Sequence, residues 1–125
     1  MPRIFLTLGA INAFLCVLFG ALGAHGLKHT LTTDMLVIFQ TGVQYHFYHA
    51  LGLILVGLGL LINLSQSRLL KLSGWLMVTG IVLFSGTLYI ISVTEIRGLG
   101  VIAPFGGLSY MSAWLLFAYA AWTGK

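Results

Sequence analysis

The chain of 125 residues is 59% hydrophobic and only 6% charged. Soluble domains carry roughly 25% charged residues, so this composition excludes a soluble fold and predicts a membrane protein. The length allows about four spans of roughly 20 residues as a single integral domain. The net charge of +4 is scattered without a basic run, which favours anionic lipid headgroups and argues against nucleic acid as a partner.

The first predicted span covers about residues 3–24, and its apolar run is long enough to favour an uncleaved span over a signal peptide. At about 100° per residue, its small residues fall on one stripe, where helices in lipid can approach closely. The stripe comprises Gly9, Asn12, Ala13, Cys16, Gly20 and Gly23. Asn12 is strongly polar and should hydrogen-bond to a neighbouring helix.

The second predicted span covers about residues 43–64. Residues 44–50 combine histidine, tyrosine and glutamine beside an apolar run, which indicates the interfacial end of this span. Residues 33–43 fit either a short interfacial helix or a continuous run into the span, and both alternatives stay open. The predicted packing face comprises Thr41, Tyr45, Tyr48, His49, Gly52, Gly59 and Asn63. His46 only borders this face, and Leu60 projects away from it.

The third predicted span covers about residues 72–94, and the fourth about residues 103–122 with Pro104 in its first turn. Their small or polar stripes are Gly74, Val78, Ser85, Tyr89 and Ser92 in the third, and Gly106, Tyr110, Ala113, Phe117 and either Ala121 or Ala120 in the fourth. Short connections require antiparallel neighbours. The sequence therefore predicts an all-α membrane protein, with four transmembrane helices in an antiparallel up-down bundle.

Several motifs point to a known family. They are GALGAHGL at residues 20–27, FQTGVQY at 39–45, YHAL at 48–51, FSGTLY at 84–89 and PFGG at 104–107. Together they resemble the domain of unknown function 423 family, small inner-membrane proteins that include the transmembrane protein 256 group. The resemblance covers nearly the whole chain and implies a multi-span membrane protein, without implying an activity. By this resemblance His25 and His49 lie in motif positions, whereas His46 stands where the family more often has glutamine.

The candidate binding site is a polar cluster at the outer mouth of the bundle, where span ends and connections meet. Its members are His25, Tyr45, His49, Tyr89, Glu95, Gly106 and Gly107. Amides at the start of the fourth span could bind an anion such as a lipid phosphate. His49 should contact a polar group of another span, and His46 should not belong to the same contact set. The alternative is that these groups only satisfy one another and lock the helices together.

Two functions stay open. The first is a non-enzymatic component that binds lipid or a partner protein at the outer mouth. The second is a metal- or proton-handling site built on His25, His49 and Glu95, either with or without enzymatic activity. The histidine spacings are loose for metal ligands, no serine has a nucleophile-elbow context, and no cofactor is indicated. Membrane lipids are the expected partners, and a homo-oligomer or a partner membrane protein is compatible with the apolar surface.

The distribution of lysine and arginine predicts orientation in a bacterial inner (plasma) membrane. The N-terminal side carries Arg3, Arg68, Lys71 and Lys125, and the opposite side carries Lys28 and Arg97. We therefore expect both termini to be cytoplasmic. A green fluorescent protein fused to the C-terminus should fluoresce, and alkaline phosphatase at the same position should be inactive. An active phosphatase fusion with a dark fluorescent fusion would reverse the topology.

Overall fold

The computed structural model describes residues 1–64 and 67–124. The helices are α1 (Pro2–His25), α2 (Thr33–Leu61), α3 (Ser67–Gly80), α4 (Thr87–Thr94) and α5 (Ala103–Thr123). A π-helical segment, Ile81–Gly86, joins α3 to α4, and 3₁₀ turns at Leu27–His29 and Arg97–Val101 lie in the connections. Within the described residues, four helical segments are long and apolar enough to cross a membrane. The predicted all-α membrane bundle is confirmed. Lys125, used in the charge count, and residues 65–66 of the second connection lie outside the described residues.

Helix α2 begins ten residues earlier than the predicted second span. Thr32 is extended and its hydroxyl accepts a hydrogen bond from the Met35 amide over 3.2 Å, while Asp34 lies in the first turn. Both features stabilise a helix start, and the helix then continues without a break to Leu61. Of the two alternatives for residues 33–43, the continuous helix is therefore the one that occurs.

This earlier start moves the histidine- and tyrosine-rich stretch into the middle of a helix. At a rise of about 1.5 Å per residue, His46 lies roughly 20 Å from Thr33 and about as far from Leu61. The interpretation of residues 44–50 as the end of a helix is wrong. Polar side chains do favour an interface, but they are also accommodated inside a bundle when other helices supply their hydrogen-bond partners.

Helix α2 is the central helix, because it packs against α1, α3, the π-helical segment and α4. It therefore buries more than one face. Leu60, predicted to project away from the packing face, is 8% exposed and belongs to the hydrophobic core, and His46 is 3% exposed. Conversely, Tyr45 and Tyr48 of the predicted packing face are exposed. A single stripe of small residues could not predict this arrangement, since a helix with neighbours on several sides has no single packing face.

Small residues set the helix spacing at several crossings. A methyl group on Gly9 of α1 would lie 2.8 Å from the carbonyl oxygen of Ala50, so α1 and α2 are in close backbone contact there. Gly57 of α2 is covered by Leu6 in the same way. The predicted small-residue stripe of α1 is confirmed in its main members, because Gly9, Cys16 and Gly23 are buried.

The π-helical segment rotates the buried face of the third span. A π turn holds more residues than an α turn, so the side chains beyond it are shifted around the helix. Val78 of the predicted stripe is only partly buried, whereas Gly80, Ile81 and Ser85 are buried. The ring of Tyr110 from α5 occupies the space that the missing side chain of Gly80 leaves.

The contact between α5 and the π-helical segment gives a test of the packing. A methyl group on Gly106 would overlap the backbone nitrogen of Phe84, which no side-chain rotation can relieve. We expect Gly106→Ala to lower the free energy of unfolding by about 2 kcal/mol, the usual size of an overpacking cost.

Gly20→Ala is the matched control, because the nearest atom to its new methyl group would be 3.9 Å away on Val43. Thermal unfolding in detergent should show a lower Tm for Gly106→Ala and an unchanged or slightly higher Tm for Gly20→Ala. Equal Tm values for the two variants would contradict the close approach at Gly106.

Candidate functional site

His46 is the centre of a buried hydrogen-bonded chain that joins three helices. The Asn12 amide nitrogen donates to the carbonyl oxygen of Leu8 over 2.8 Å, which leaves its Oδ1 as the acceptor for Nε2 of His46 at 2.7 Å. In a neutral imidazole the other nitrogen accepts, so the Tyr89 hydroxyl donates to Nδ1 over 2.7 Å. The chain therefore runs from α4 through α2 to α1.

Aromatic rings cover this chain. Phe19 of α1 and Phe39 of α2 pack on the ring of Tyr89, with centroid distances of 5.1 and 5.3 Å. The side-chain polar atoms of Asn12, His46 and Tyr89 are all hydrogen-bonded within the protein. Such a closed set holds helices together in lipid, where an unpaired polar group is costly. We therefore assign the His46 chain to the structure of the bundle.

His49 is held in a second, separate network. Its Nδ1–H donates to the carbonyl oxygen of Tyr45 over 2.6 Å, and its Nε2 accepts from the indole N–H of Trp114 over 2.9 Å. Because an indole nitrogen can only donate, these partners fix His49 as the neutral ring with its hydrogen on Nδ1. The ring also stacks on Tyr110, with a centroid distance of 3.5 Å and an interplanar angle of 6°.

The second network reaches the π-helical segment. The hydroxyl of Tyr110 is 3.1 Å from the hydroxyl of Ser85, within hydrogen-bond distance. Phe84, which precedes Ser85 in the chain, packs on Tyr110 at a centroid distance of 5.6 Å. Rings from α2 and α5 are thus held in fixed positions against the third span.

These rings surround a cavity of about 540 Å³, which we call the aromatic cavity. It is lined by Tyr45, Tyr48, His49, Phe84, Gly107, Tyr110, Met111 and Trp114. Tyr45, Tyr48 and Met111 are exposed, so the cavity opens on the outer surface of the bundle, where lipid surrounds a membrane-spanning helix. Two other cavities, about 240 and 330 Å³, are smaller.

One polar group of the aromatic cavity makes no hydrogen bond to any residue within 1–64 and 67–124. The hydroxyl of Tyr48 accepts a hydrogen bond from the Gln44 amide, and both nitrogens of His49 are engaged. Among the described residues, the hydroxyl of Tyr45 has no hydrogen-bond partner, although its ring packs on Phe84 at a centroid distance of 5.1 Å.

The structure divides the residues of the predicted outer polar cluster. Tyr45, His49 and Gly107 line the aromatic cavity, whereas Tyr89 belongs to the His46 chain. Gly106 is buried against Phe84. The prediction of one cluster is wrong, because the third span and α2 bring these residues to two separate sets of neighbours. Whether any of them binds a ligand stays a prediction.

His25 and Glu95 do not join either network. Both are exposed at the ends of their helices, and Glu95 ends α4 in the left-handed region with φ of 59°. No hydrogen bond or ion pair within residues 1–64 and 67–124 links either of them to His49. The prediction that His49 contacts a polar group of another span is confirmed, but the partner is Trp114. The separation of His46 from the His49 contacts is also confirmed.

The metal alternative finds no clustered ligands in the described part of the chain. No three histidine, cysteine, aspartate or glutamate side chains lie together there. The ring nitrogens of His46 and His49 are each hydrogen-bonded to protein groups. The site that combined His25, His49 and Glu95 therefore has no geometric basis.

Three residues of the His49 network were not among the predicted site residues. Tyr110 and Ser85 carried a signal, since both lie on predicted packing stripes and a buried hydroxyl needs a partner. Trp114 carried none, because nothing in its spacing distinguishes an indole that faces a cavity from one that faces lipid.

The fold and these networks define a small multi-pass membrane protein with buried, internally paired polar residues and an aromatic cavity. A family model described as "Protein of unknown function (DUF423)" matches residues 19–107. The chain belongs to this family, which confirms the resemblance found in the sequence.

Curated relatives agree with this assignment over nearly their whole lengths. A UPF0382 membrane protein, YwdK of Bacillus subtilis (strain 168), is 50% identical over 95% of this chain and 96% of its own. A UPF0382 membrane protein of Staphylococcus epidermidis (strain ATCC 12228) is 41% identical over 94% of each chain. One from Haemophilus influenzae is 36% identical over 100% of this chain and 98% of its own. No solved structure matches the chain.

The His46 chain predicts non-additive effects of mutation. Tyr89→Phe leaves Nδ1 of His46 without a donor, and Asn12→Leu leaves Nε2 without an acceptor. We expect each to lower the free energy of unfolding by about 1 kcal/mol. Because both act through the same ring, the double variant should lose less than the sum of the two.

Equilibrium unfolding in mixed micelles would measure the three variants. Tyr119→Phe is the control, since Tyr119 is exposed on α5, and it should leave stability unchanged. Strictly additive losses, or an equal loss in the control, would contradict the coupling through His46.

Proposed function

We propose that this protein is a non-enzymatic component of the bacterial inner membrane that binds a lipid-soluble molecule in the aromatic cavity. The observation that supports the proposal is the cavity itself, about 540 Å³ in volume and open on the lipid-facing surface between α2 and α5. Ligand sites in proteins are typically concave, about 300–1,000 Å³, and lined mainly by apolar and aromatic side chains with few polar groups. The aromatic cavity has these properties.

The walls of the cavity are fixed before a ligand arrives. His49 is held by hydrogen bonds from two sides, and Tyr110 is held by the stack on His49 and by Ser85. Preformed walls reduce the entropy lost on binding. The polar contacts around the cavity therefore serve to position rings.

The composition of the walls favours a lipid-soluble ligand over a partner protein. The lining residues carry no formal charge, and a helix of a partner protein would need a longer groove than a cavity of this volume. The cavity opens where the surrounding medium is hydrocarbon, so molecules dissolved in the bilayer reach it directly. This replaces the predicted outer mouth as the binding site, since His25 and Glu95 lie outside the cavity.

The second candidate function, metal or proton handling, receives less support. Its histidine, His49, uses both ring nitrogens in hydrogen bonds that position Trp114 and the α2 backbone. A metal at either nitrogen, or a second proton at Nε2, would break one of these bonds.

The charge distribution supports the cellular location in the proposal. Arg3, Arg68 and Lys71 on one side outnumber Lys28 and Arg97 on the other, and the positive-inside rule therefore favours cytoplasmic termini. The opening of the cavity faces the lipid of this membrane whichever side the termini occupy.

Filling the cavity tests the proposal. Gly107 lines the cavity, and a Cβ added there would meet only Phe84, at 4.0 Å. Gly107→Leu should therefore extend its side chain into the cavity, since its Cβ causes no overlap. Gly20→Leu is the matched control, because Gly20 is also a helical glycine with open space at its Cβ but does not line the cavity.

Native mass spectrometry after detergent exchange would measure the molecules that remain bound. We expect the natural protein and Gly20→Leu to retain a small lipid-soluble molecule with a stoichiometry near one per chain, and Gly107→Leu to lose it. No retained molecule in the natural protein, or equal retention in all three proteins, would overturn the proposal. Retention of a partner protein, lost in Gly107→Leu, would also overturn it in favour of protein binding.

A further inference from the structure

We propose that the ligand of the aromatic cavity is an uncharged amphiphile with a flat ring that carries an acceptor oxygen, as quinones do, and that the Tyr45 hydroxyl donates a hydrogen bond to this oxygen. This inference rests on the proposed function, because it names the ligand class of the same cavity.

The absence of charge follows from the lining of the cavity. None of its residues is a lysine, arginine, aspartate or glutamate. A phosphate or an ammonium group placed there would be removed from water without an opposite charge, which is costly. The cavity therefore selects against the headgroups of common phospholipids.

The flat ring follows from the rigidity and identity of the walls. Tyr110 and Trp114 are each fixed through His49, and Phe84 packs on Tyr110. Aromatic walls make favourable offset-stacked and edge-to-face contacts with another ring. A rigid ring loses little conformational entropy in such a site, whereas an acyl chain must order many bonds.

The expectation that the ligand carries an acceptor oxygen follows from Tyr45. Its ring lines the cavity in the middle of α2, and its hydroxyl has no partner among the described residues. A hydroxyl surrounded by hydrocarbon gains most from a hydrogen bond, because no water competes for it. Both nitrogens of His49 are already paired, whereas the Tyr48 hydroxyl accepts from Gln44 and keeps its own hydrogen. Tyr45 thus offers the cavity a hydroxyl that makes no hydrogen bond to the described residues, and a ligand with a carbonyl or ether oxygen matches it.

Trp114 provides a reporter within the cavity. The chain contains three tryptophans, and Trp75→Phe with Trp122→Phe leaves Trp114 alone while keeping aromatic rings at both positions. In detergent micelles, decylubiquinone is the probe for a flat ring with acceptor oxygens. Farnesol, without an aromatic or quinone ring, and dioleoylphosphatidylglycerol, with a charged headgroup, are the competitors.

We expect decylubiquinone to quench Trp114 with a saturable component that is absent in Gly107→Leu. Tyr45→Phe should raise the apparent Kd roughly fivefold, the effect of losing one neutral hydrogen bond. Tyr119→Phe should leave the Kd unchanged, since Tyr119 lies outside the cavity. Neither competitor should displace the quinone when present at the same micellar concentration.

Each other outcome overturns either the ring class of the ligand or the hydrogen bond assigned to Tyr45. If farnesol or the phospholipid displaces the quinone, the ring class is wrong and the cavity still binds lipid-soluble molecules. If Tyr45→Phe binds as the natural protein does, the assigned hydrogen bond is wrong. Quenching that is linear in concentration, equal in Gly107→Leu and unaffected by either competitor would show that the ligand is not a flat ring. The proposed function is then decided separately, by the retention measured in native mass spectrometry.

Discussion

The structure depends on one constraint: a polar side chain inside a bilayer must find its hydrogen-bond partners within the protein. Helix α2 carries His46 and His49 in its middle, and neighbouring helices supply the groups that pair them. Because three partner helices are needed, α2 occupies the centre of the bundle. The partners come from three different helices, with Asn12 on α1, Tyr89 on α4 and Trp114 on α5.

His46 and His49 have different roles although they are only three residues apart. His46 closes a chain in which every member is paired, so its contribution is to hold α1, α2 and α4 together. His49 is equally well paired, but its bonds and its stack fix the rings of Trp114 and Tyr110 beside an open volume. The first arrangement lies beside a cavity of only about 240 Å³, whereas the second forms part of the wall of the aromatic cavity of about 540 Å³.

The interruption of the third span makes the second arrangement possible. The π-helical segment Ile81–Gly86 turns Ser85 toward Tyr110, and Gly80 leaves the space for the Tyr110 ring. Gly106 brings α5 against the backbone of Phe84 and Leu83. A regular α-helix with larger side chains at these positions would hold α5 further away, and the stack of Tyr110 on His49 would be lost. Functional sites often coincide with such π-helical insertions.

The sequence by itself determined the membrane class, the presence of four spans and the small-residue stripe of α1, because length and apolar content decide whether a segment can cross a bilayer. It also indicated that Asn12 would bond to another helix, since a lone amide in an apolar run has few other solutions. Only the tertiary structure decided the start of α2, the burial of His46 and Leu60, and the separation of His25 and Glu95 from His49. The physical reason is that periodicity describes a helix packed on one side, whereas α2 is surrounded. The partner of each imidazole depends on how every neighbouring helix is rotated about its axis and positioned along it. The π-helical segment Ile81–Gly86 changes both quantities for half of the third span.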